Sequence, residues 1–132
     1  IAIISDKKIS SPIISKFDTV IALNQPSVDK FESAVKPGGL LIYESTNVIN
    51  PPKREDIEII GIAAADEAAK MENTKVLNMI MLGSFLKKKP IIEYKNIIEG
   101  LKKVLPERYH HLLPLNEKAL QKGMELVELV TL

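Results

Sequence analysis

The sequence predicts an α/β fold of three layers, α/β/α, on a mostly parallel, open sheet. Three observations carry this. Residues 20–23, 40–43 and 57–63 form short apolar runs. Runs of that length without a polar face read as strands covered on both sides, as parallel strands are. Helical periodicity separates the first two runs. After the third, the apolar residues recur at helical rather than alternating spacing up to the end of the chain.

The elements follow in order. Residues 1–5, IAIIS, read as a strand, and residues 6–11 as a polar loop. Residues 12–17 fit a short turn of helix. Val20, Ile21, Ala22 and Leu23 make the first clear strand. Asn24, Gln25, Pro26 and Ser27 then supply the capping side chains and the proline of a helix start. Val28, Phe31, Ala34 and Val35 recur at helical spacing. Lys36, Pro37, Gly38 and Gly39 read as the stop, with a cation at the negative helix end and Pro and Gly beyond it. Residues 40–43 are the next strand. A strand, a helix and a parallel strand in so short a stretch form a βαβ unit, whose crossover is right-handed because of strand twist.

Residues 45–56 read as a loop, since Asn50-Pro51-Pro52 forbids regular structure. Residues 57–63 are a third buried strand, in which Gly61 permits a close backbone approach. Residues 64–71 are Ala-rich and helical. Asn73 or Thr74 caps a stronger helix over 75–88. Its apolar residues surround it, so it is expected at a subunit interface or in a core completed by other sequence. Lys87, Lys88 and Lys89 read as a solvated helix end. Residues 93–105 and 115–129 are amphipathic helices. Such an architecture is Rossmann-like, and it places ligands at the carboxyl ends of the strands. Asn24 and Gln25 lie there, which makes them the candidate ligand-binding residues.

Composition narrows the function. There are 132 residues, enough for one domain, with a net charge of +1. That balance gives no field for nucleic acid or an anionic membrane. Three Tyr, three Phe and no Trp leave little for base stacking. No run is long enough for a membrane span, and a cytoplasmic protein is the simpler reading. There is no Cys. These residues therefore hold no disulfide, no thiol nucleophile, and no iron–sulfur or zinc site built on thiolates.

No catalytic constellation emerges. Glu107 and His110 have the Glu-x-x-His spacing of carboxylate-bridged metal sites, but those need a second copy, and the plain reading is a solvated helix start. His110 and His111 diverge by about 100° on a regular helix and cannot chelate together. No glycine-flanked serine elbow, phosphate loop or dinucleotide fingerprint occurs. Asn78, polar on an apolar helix, reads as a core or interface amide with satisfied hydrogen bonds. The expectation is thus no catalytic residue and no metal ligand in this chain.

Several segments together resemble the gamma subunit, or gamma domain, of 2-oxoacid:ferredoxin oxidoreductases, the pyruvate, 2-oxoglutarate and branched-chain enzymes. They are Ile4-Ser5-Asp6 with Ile9 and Pro12, Phe17-Asp18, Ile21-Ala22-Leu23-Asn24-Gln25, Asp29-Lys30-Phe31 and Lys36-Pro37-Gly38-Gly39. Further on come Ala64-Ala65-Asp66-Glu67-Ala68, Asn78-Met79 with Leu82-Gly83, and Asn116 with Ala119 and Gly123. The family's opening Gly-x-Gly-Gly-Gln-Gly turn and its Arg-Gly-Gly segment are absent here. With the abrupt start at Ile1, that predicts one gamma-type domain, residues 1–132, from the carboxyl-terminal part of a longer subunit.

The resemblance implies a non-redox subunit of an enzyme that oxidatively decarboxylates a 2-oxoacid to an acyl-coenzyme A. Electrons would pass to ferredoxin. Thiamine diphosphate, magnesium and iron–sulfur clusters would sit in partner subunits, with coenzyme A as co-substrate. Two alternatives stay open. Residues 17–45 also look like strands of an S-adenosylmethionine-dependent methyltransferase, in which a Lys-Pro-Gly-Gly turn is common. A ligand-free α/β interaction domain is the other.

Overall fold

A computed structural model describes residues 16–73, 76–90 and 92–131. The strand expected over 1–5, the loop over 6–11, most of the helical turn over 12–17 and Thr74 lie outside the described residues. Phe17 itself begins a strand.

Three strands, β1 (Phe17–Ala22), β2 (Val35–Glu44) and β3 (Glu58–Ile62), form a parallel sheet in the order β1-β2-β3. The strands expected at 20–23, 40–43 and 57–63 are all present. Leu23 falls outside β1, and Ile21 is 38% exposed, so the first run is not covered on both sides. Among the described residues β1 borders only β2, and an edge strand has less around it. The central strand is the buried one, with Leu40, Leu41 and Ile42 at 2% exposure or less.

Helices cover both faces, as the three-layer reading requires. On one side, α1 (Gln25–Phe31) and the 45–57 segment pack Val28, Val48 and Ile57 onto Ala22, Val35 and Leu41. On the other lie α2 (Ala64–Lys70), α3 (Leu77–Lys88) and α5 (Leu113–Thr131). Ala64, Ala68, Ile80, Met81, Ala119 and Val127 meet Leu40, Ile42, Ile60 and Ile62 there. The fourth helix, α4 (Tyr94–Val104), packs Ile98 against Leu86 and Leu120. A six-residue 3-10 segment, Glu107–Leu112, joins it to α5.

The structure corrects the reading of residues 34–39. The helix ends at Phe31, and a 3-10 turn, Glu32–Ala34, leads straight into β2 at Val35. Val35 pairs with Phe17, and pairing resumes with Thr19 opposite Leu40. Lys36-Pro37-Gly38-Gly39 is thus a bulge inside a strand, not a helix stop. Gly38 takes φ 81° and its N–H donates to the Asp56 carbonyl at 2.7 Å. Few residues other than glycine tolerate that backbone, so turn-forming residues marked a bulge.

The second correction concerns α3. Its Ile80 and Met81 pack on the sheet, Leu86 packs towards α4, and Gly83 and Ser84 are buried against α5. The helix is covered on its apolar sides within this one chain, so the interface expected of it is not needed. Asn78 is exposed rather than a core amide. Val76 flanks the start of α3, and its N–H donates to the Asn73 carbonyl at 3.4 Å; the cap expected of Asn73 or Thr74 is for a helix from Lys75, and Thr74 and Lys75 lie outside the described residues. Lys87 pairs with Glu128 at 2.7 Å and Lys88 pairs with Glu58, so two of the three lysines tie α3 to α5 and β3.

Candidate functional site

The carboxyl ends of the three strands share one edge of the sheet. The chain leaves it at Leu23, Ser45 and Ala63. Asn24 takes an extended backbone, φ −157° and ψ 171°. Its Oδ1 accepts the Ser27 N–H at 2.9 Å, and its carbonyl accepts the Val28 N–H at 3.1 Å. The second helical residue is Pro26, which has no N–H. The start of α1 therefore has few free donors left for an anion. Asn24 is exposed, and among the described residues its Nδ2 donates to no other group.

Gln25 is a clip. Its Oε1 accepts the Asn50 N–H at 2.9 Å, and its Nε2 donates to the Asn50 carbonyl at 3.0 Å. The other Nε2 hydrogen goes to Asp29 Oδ1 at 2.9 Å. This copies the hydrogen-bond pair of a backbone ladder across 25 residues of sequence and fastens the loop after β2 to the helix after β1. The two residues singled out from the sequence thus stand side by side at the expected edge, each bonded within the chain.

The sequence reading missed Glu44, the last residue of β2. It is fully buried. Its Oε1 accepts the N–H groups of Thr46 and Ala65, each at 3.0 Å, and its Oε2 accepts the Asn47 N–H at 2.9 Å. Burial alone would raise its pKa. The bonds from the Ala65 N–H, the Thr46 side chain and the N–H groups of Asn47 and Thr46 outweigh that and hold it below the ordinary glutamate range. The signal was available: an acidic residue ends an apolar run and is followed by Ser-Thr-Asn.

At the opposite edge the 45–57 segment is held again. Arg54 forks onto Asp56 at 2.8 and 2.6 Å, and its Nη1 donates to the carbonyls of Glu32 and Val35. Glu32 Oε2 accepts the N–H groups of Lys53 and Arg54. The Arg54 fork holds the Asp56 carboxyl below its usual range. Lys36 and Asp18, both exposed, pair here at 3.5 Å. The glycines 38 and 39 also lie at this edge, away from Asn24 and Gln25.

The remaining candidates separate. His110 Nε2 lies 3.0 Å from the Lys102 carbonyl and 2.8 Å from that of Leu105. Carbonyls only accept, so this nitrogen carries a proton and caps the end of α4. That use engages His110 Nε2 within the chain. Among the described residues, no three His, Asp or Glu side chains are grouped to hold a metal ion, and no helix is long and apolar enough to cross a membrane. An open groove of about 570 Å³ runs along β3, lined by Tyr43, Ser45, Glu58, Gly61, Lys88 and Val130 among others. The close approach expected at Gly61 is made by the Tyr43 ring.

Residues 2–126 match the pyruvate ferredoxin/flavodoxin oxidoreductase family. The ketoisovalerate oxidoreductase subunit VorA of Methanothermobacter marburgensis is 33% identical over 81 residues, 61% of this chain and 17% of that protein. Two solved structures share the fold at 22% identity. One is the gamma subunit of a keto/oxoacid ferredoxin oxidoreductase from Geobacter sulfurreducens PCA, with a TM-score of 0.74 over 85% of this chain and 64% of that one. The other is the 2-oxoglutarate:ferredoxin oxidoreductase of Magnetococcus marinus, solved with 2-oxoglutarate, coenzyme A and succinyl-CoA. Its TM-score is 0.80 over 95% of this chain and 22% of that one. The chain therefore spans a small part of the first relative and under two thirds of the gamma subunit.

Proposed function

We propose, from the premise that this chain belongs to the pyruvate ferredoxin/flavodoxin oxidoreductase family, that it is a single gamma-type domain of a 2-oxoacid:ferredoxin oxidoreductase. It supports oxidative decarboxylation of a 2-oxoacid to an acyl-coenzyme A, with electrons passed to ferredoxin. The observation that carries this is the family match across residues 2–126, which also disfavours the methyltransferase and the ligand-free alternatives. Ketoisovalerate and 2-oxoglutarate, named for the relatives, are both 2-oxoacids, so the class rather than one substrate is proposed.

The role is a supporting one. Thiamine diphosphate with magnesium, and iron–sulfur clusters, would supply the decarboxylation and electron chemistry from partner subunits. The donor set here does not fit them: the sequence has no Cys, and the described residues offer no grouped metal ligands. What this chain contributes is position. Coenzyme A, where it meets this domain, would lie at the carboxyl edge beside Asn24 and Gln25. Support comes from the exposed Asn24 amide and from a loop already fastened by the Gln25 clip. We place the complex in the cytoplasm.

The test is affinity purification of the tagged full-length protein from its own cells. The proposal expects larger, brown, cluster-bearing chains to co-elute, with 2-oxoacid- and coenzyme A-dependent dye reduction in the eluate. A colourless protein that elutes alone and binds S-adenosylmethionine would reject it.

A further inference from the structure

We propose that Glu44 is the positioning residue of the carboxyl edge: its buried carboxylate fixes the loops after β2 and β3 together and so sets where Gln25 and Asn50 stand. This rests on the reading that the carboxyl edge faces coenzyme A.

A fully buried carboxylate survives only where donors replace its water. Here they come from two different connections. Thr46 and Asn47 belong to the turn after β2, and Ala65 to the first turn of α2, after β3. The turn runs on through Val48, which is buried in the α1-side core, to Asn50, which Gln25 grips at the end of β1. One line of contacts therefore joins all three strand ends: Ala65, Glu44, Asn47, Val48, Asn50 and Gln25. Packing alone does not ask for an acid at this place, since Leu41 and Ile42 fill the same strand with apolar side chains. What the carboxylate adds is a fixed spacing between the loops beyond the last backbone bond, from the Ser45 N–H to the Ile62 carbonyl at 2.9 Å. A Gln would turn one acceptor into an N–H₂ group aimed at donors. An Asp would keep the charge but withdraw it by one methylene.

The experiment uses the whole oxidoreductase carrying Glu44→Gln or Glu44→Asp, with Leu120→Ala as a variant weakened elsewhere in the core. Amide hydrogen exchange is followed by mass spectrometry, and coenzyme A is varied at saturating 2-oxoacid. We expect exchange at residues 46, 47, 50 and 65 to quicken by about ten-fold or more in Glu44→Gln while the α3 and α5 amides hold. The KM for coenzyme A rises several-fold with little change in kcat. Glu44→Asp should fall between wild type and Glu44→Gln in both, and Leu120→Ala should move neither at the edge. Faster exchange confined to 46, 47 and 65, with Asn50 unmoved, would overturn the proposal. Faster exchange that includes Asn50, with the KM unchanged, would uphold the positioning role and overturn the coenzyme A reading. If Glu44→Gln does not assemble, Glu44→Asp decides on the same readouts.

Discussion

Replacing Gly123 by Ala should destabilise the protein although it adds a better helix former. Gly123 in α5 and Gly83 in α3 lie at the crossing of these two helices. A Cβ on Gly123 would stand 1.9 Å from the Ile80 carbonyl oxygen and 2.8 Å from the Ser84 nitrogen. A Cβ on Gly83 would stand 2.1 Å from the Leu120 carbonyl oxygen. These obstacles are backbone atoms and cannot rotate away. The helices would have to separate by about 1.5 Å to reach ordinary contact at 3.4 Å. That separation also strains the buried bond from Ser84 Oγ to the Gly123 carbonyl, now 3.2 Å. Overpacking costs about 1–3 kcal/mol, and losing a buried hydrogen bond about 1 more. Helix propensity returns about 1 kcal/mol. The net loss is about 2 kcal/mol, or a Tm lower by roughly 6–10 °C for a chain of this size. The control is Gly100→Ala in α4, where a Cβ would meet nothing within 4 Å. It should stabilise by about 0.5–1 kcal/mol. Thermal and urea unfolding by circular dichroism measure both. Equal or greater stability in Gly123→Ala, or a loss in Gly100→Ala, would refute the crossing argument.

Two further outcomes follow from the same geometry. The Glu44 carboxyl is held below its ordinary pKa of 4.5, so it contributes stability that is full above the ordinary glutamate range and is lost as the pH falls through the folded value. Urea titrations at about pH 6 and about pH 3 should therefore show the advantage of wild type over Glu44→Gln shrinking on acidification; an advantage that grows would reverse the sign of the argument. At β3, a Cβ on Gly61 would come within 2.8 Å of the Tyr43 hydroxyl oxygen and 2.9 Å of its ring. Gly61→Ala should cost stability alone and less beside Tyr43→Ala, with a coupling of at least about 0.5 kcal/mol in a double-mutant cycle; simple additivity would show that the ring is not the obstacle.

The strands and most helices were legible because their signals are local. The apolar runs at 40–43 and 57–63 and the periodicity of 115–129 need only neighbours in sequence. The start of α1 was legible for the same reason: Asn24 caps the Ser27 N–H three residues on. What was lost depended on distant partners. Lys36-Pro37-Gly38-Gly39 carries the residues of a helix stop, and only the pairing of Val35 with Phe17 turns it into a bulge. The all-round apolar α3 could be satisfied by a subunit or by its own chain. The glycines at 83 and 123 let α5 lie against it closely enough to do the latter. Gln25 was placed at the right edge, but its partner Asn50 is 25 residues away. Glu44 carried a local signal in the Ser-Thr-Asn that follows it, but the donor that makes it a link between two connections, the Ala65 N–H, lies 21 residues on, beyond a whole strand.

The central claim is that this chain is a working part of a 2-oxoacid:ferredoxin oxidoreductase. The direct measurement is ferredoxin reduction by the enzyme assembled from its separately produced subunits, with and without this polypeptide in its full-length form. The account predicts that reduction requires the 2-oxoacid, coenzyme A and this chain together, and that adding the chain back restores it. Full coenzyme A-dependent activity from the other subunits alone would contradict it.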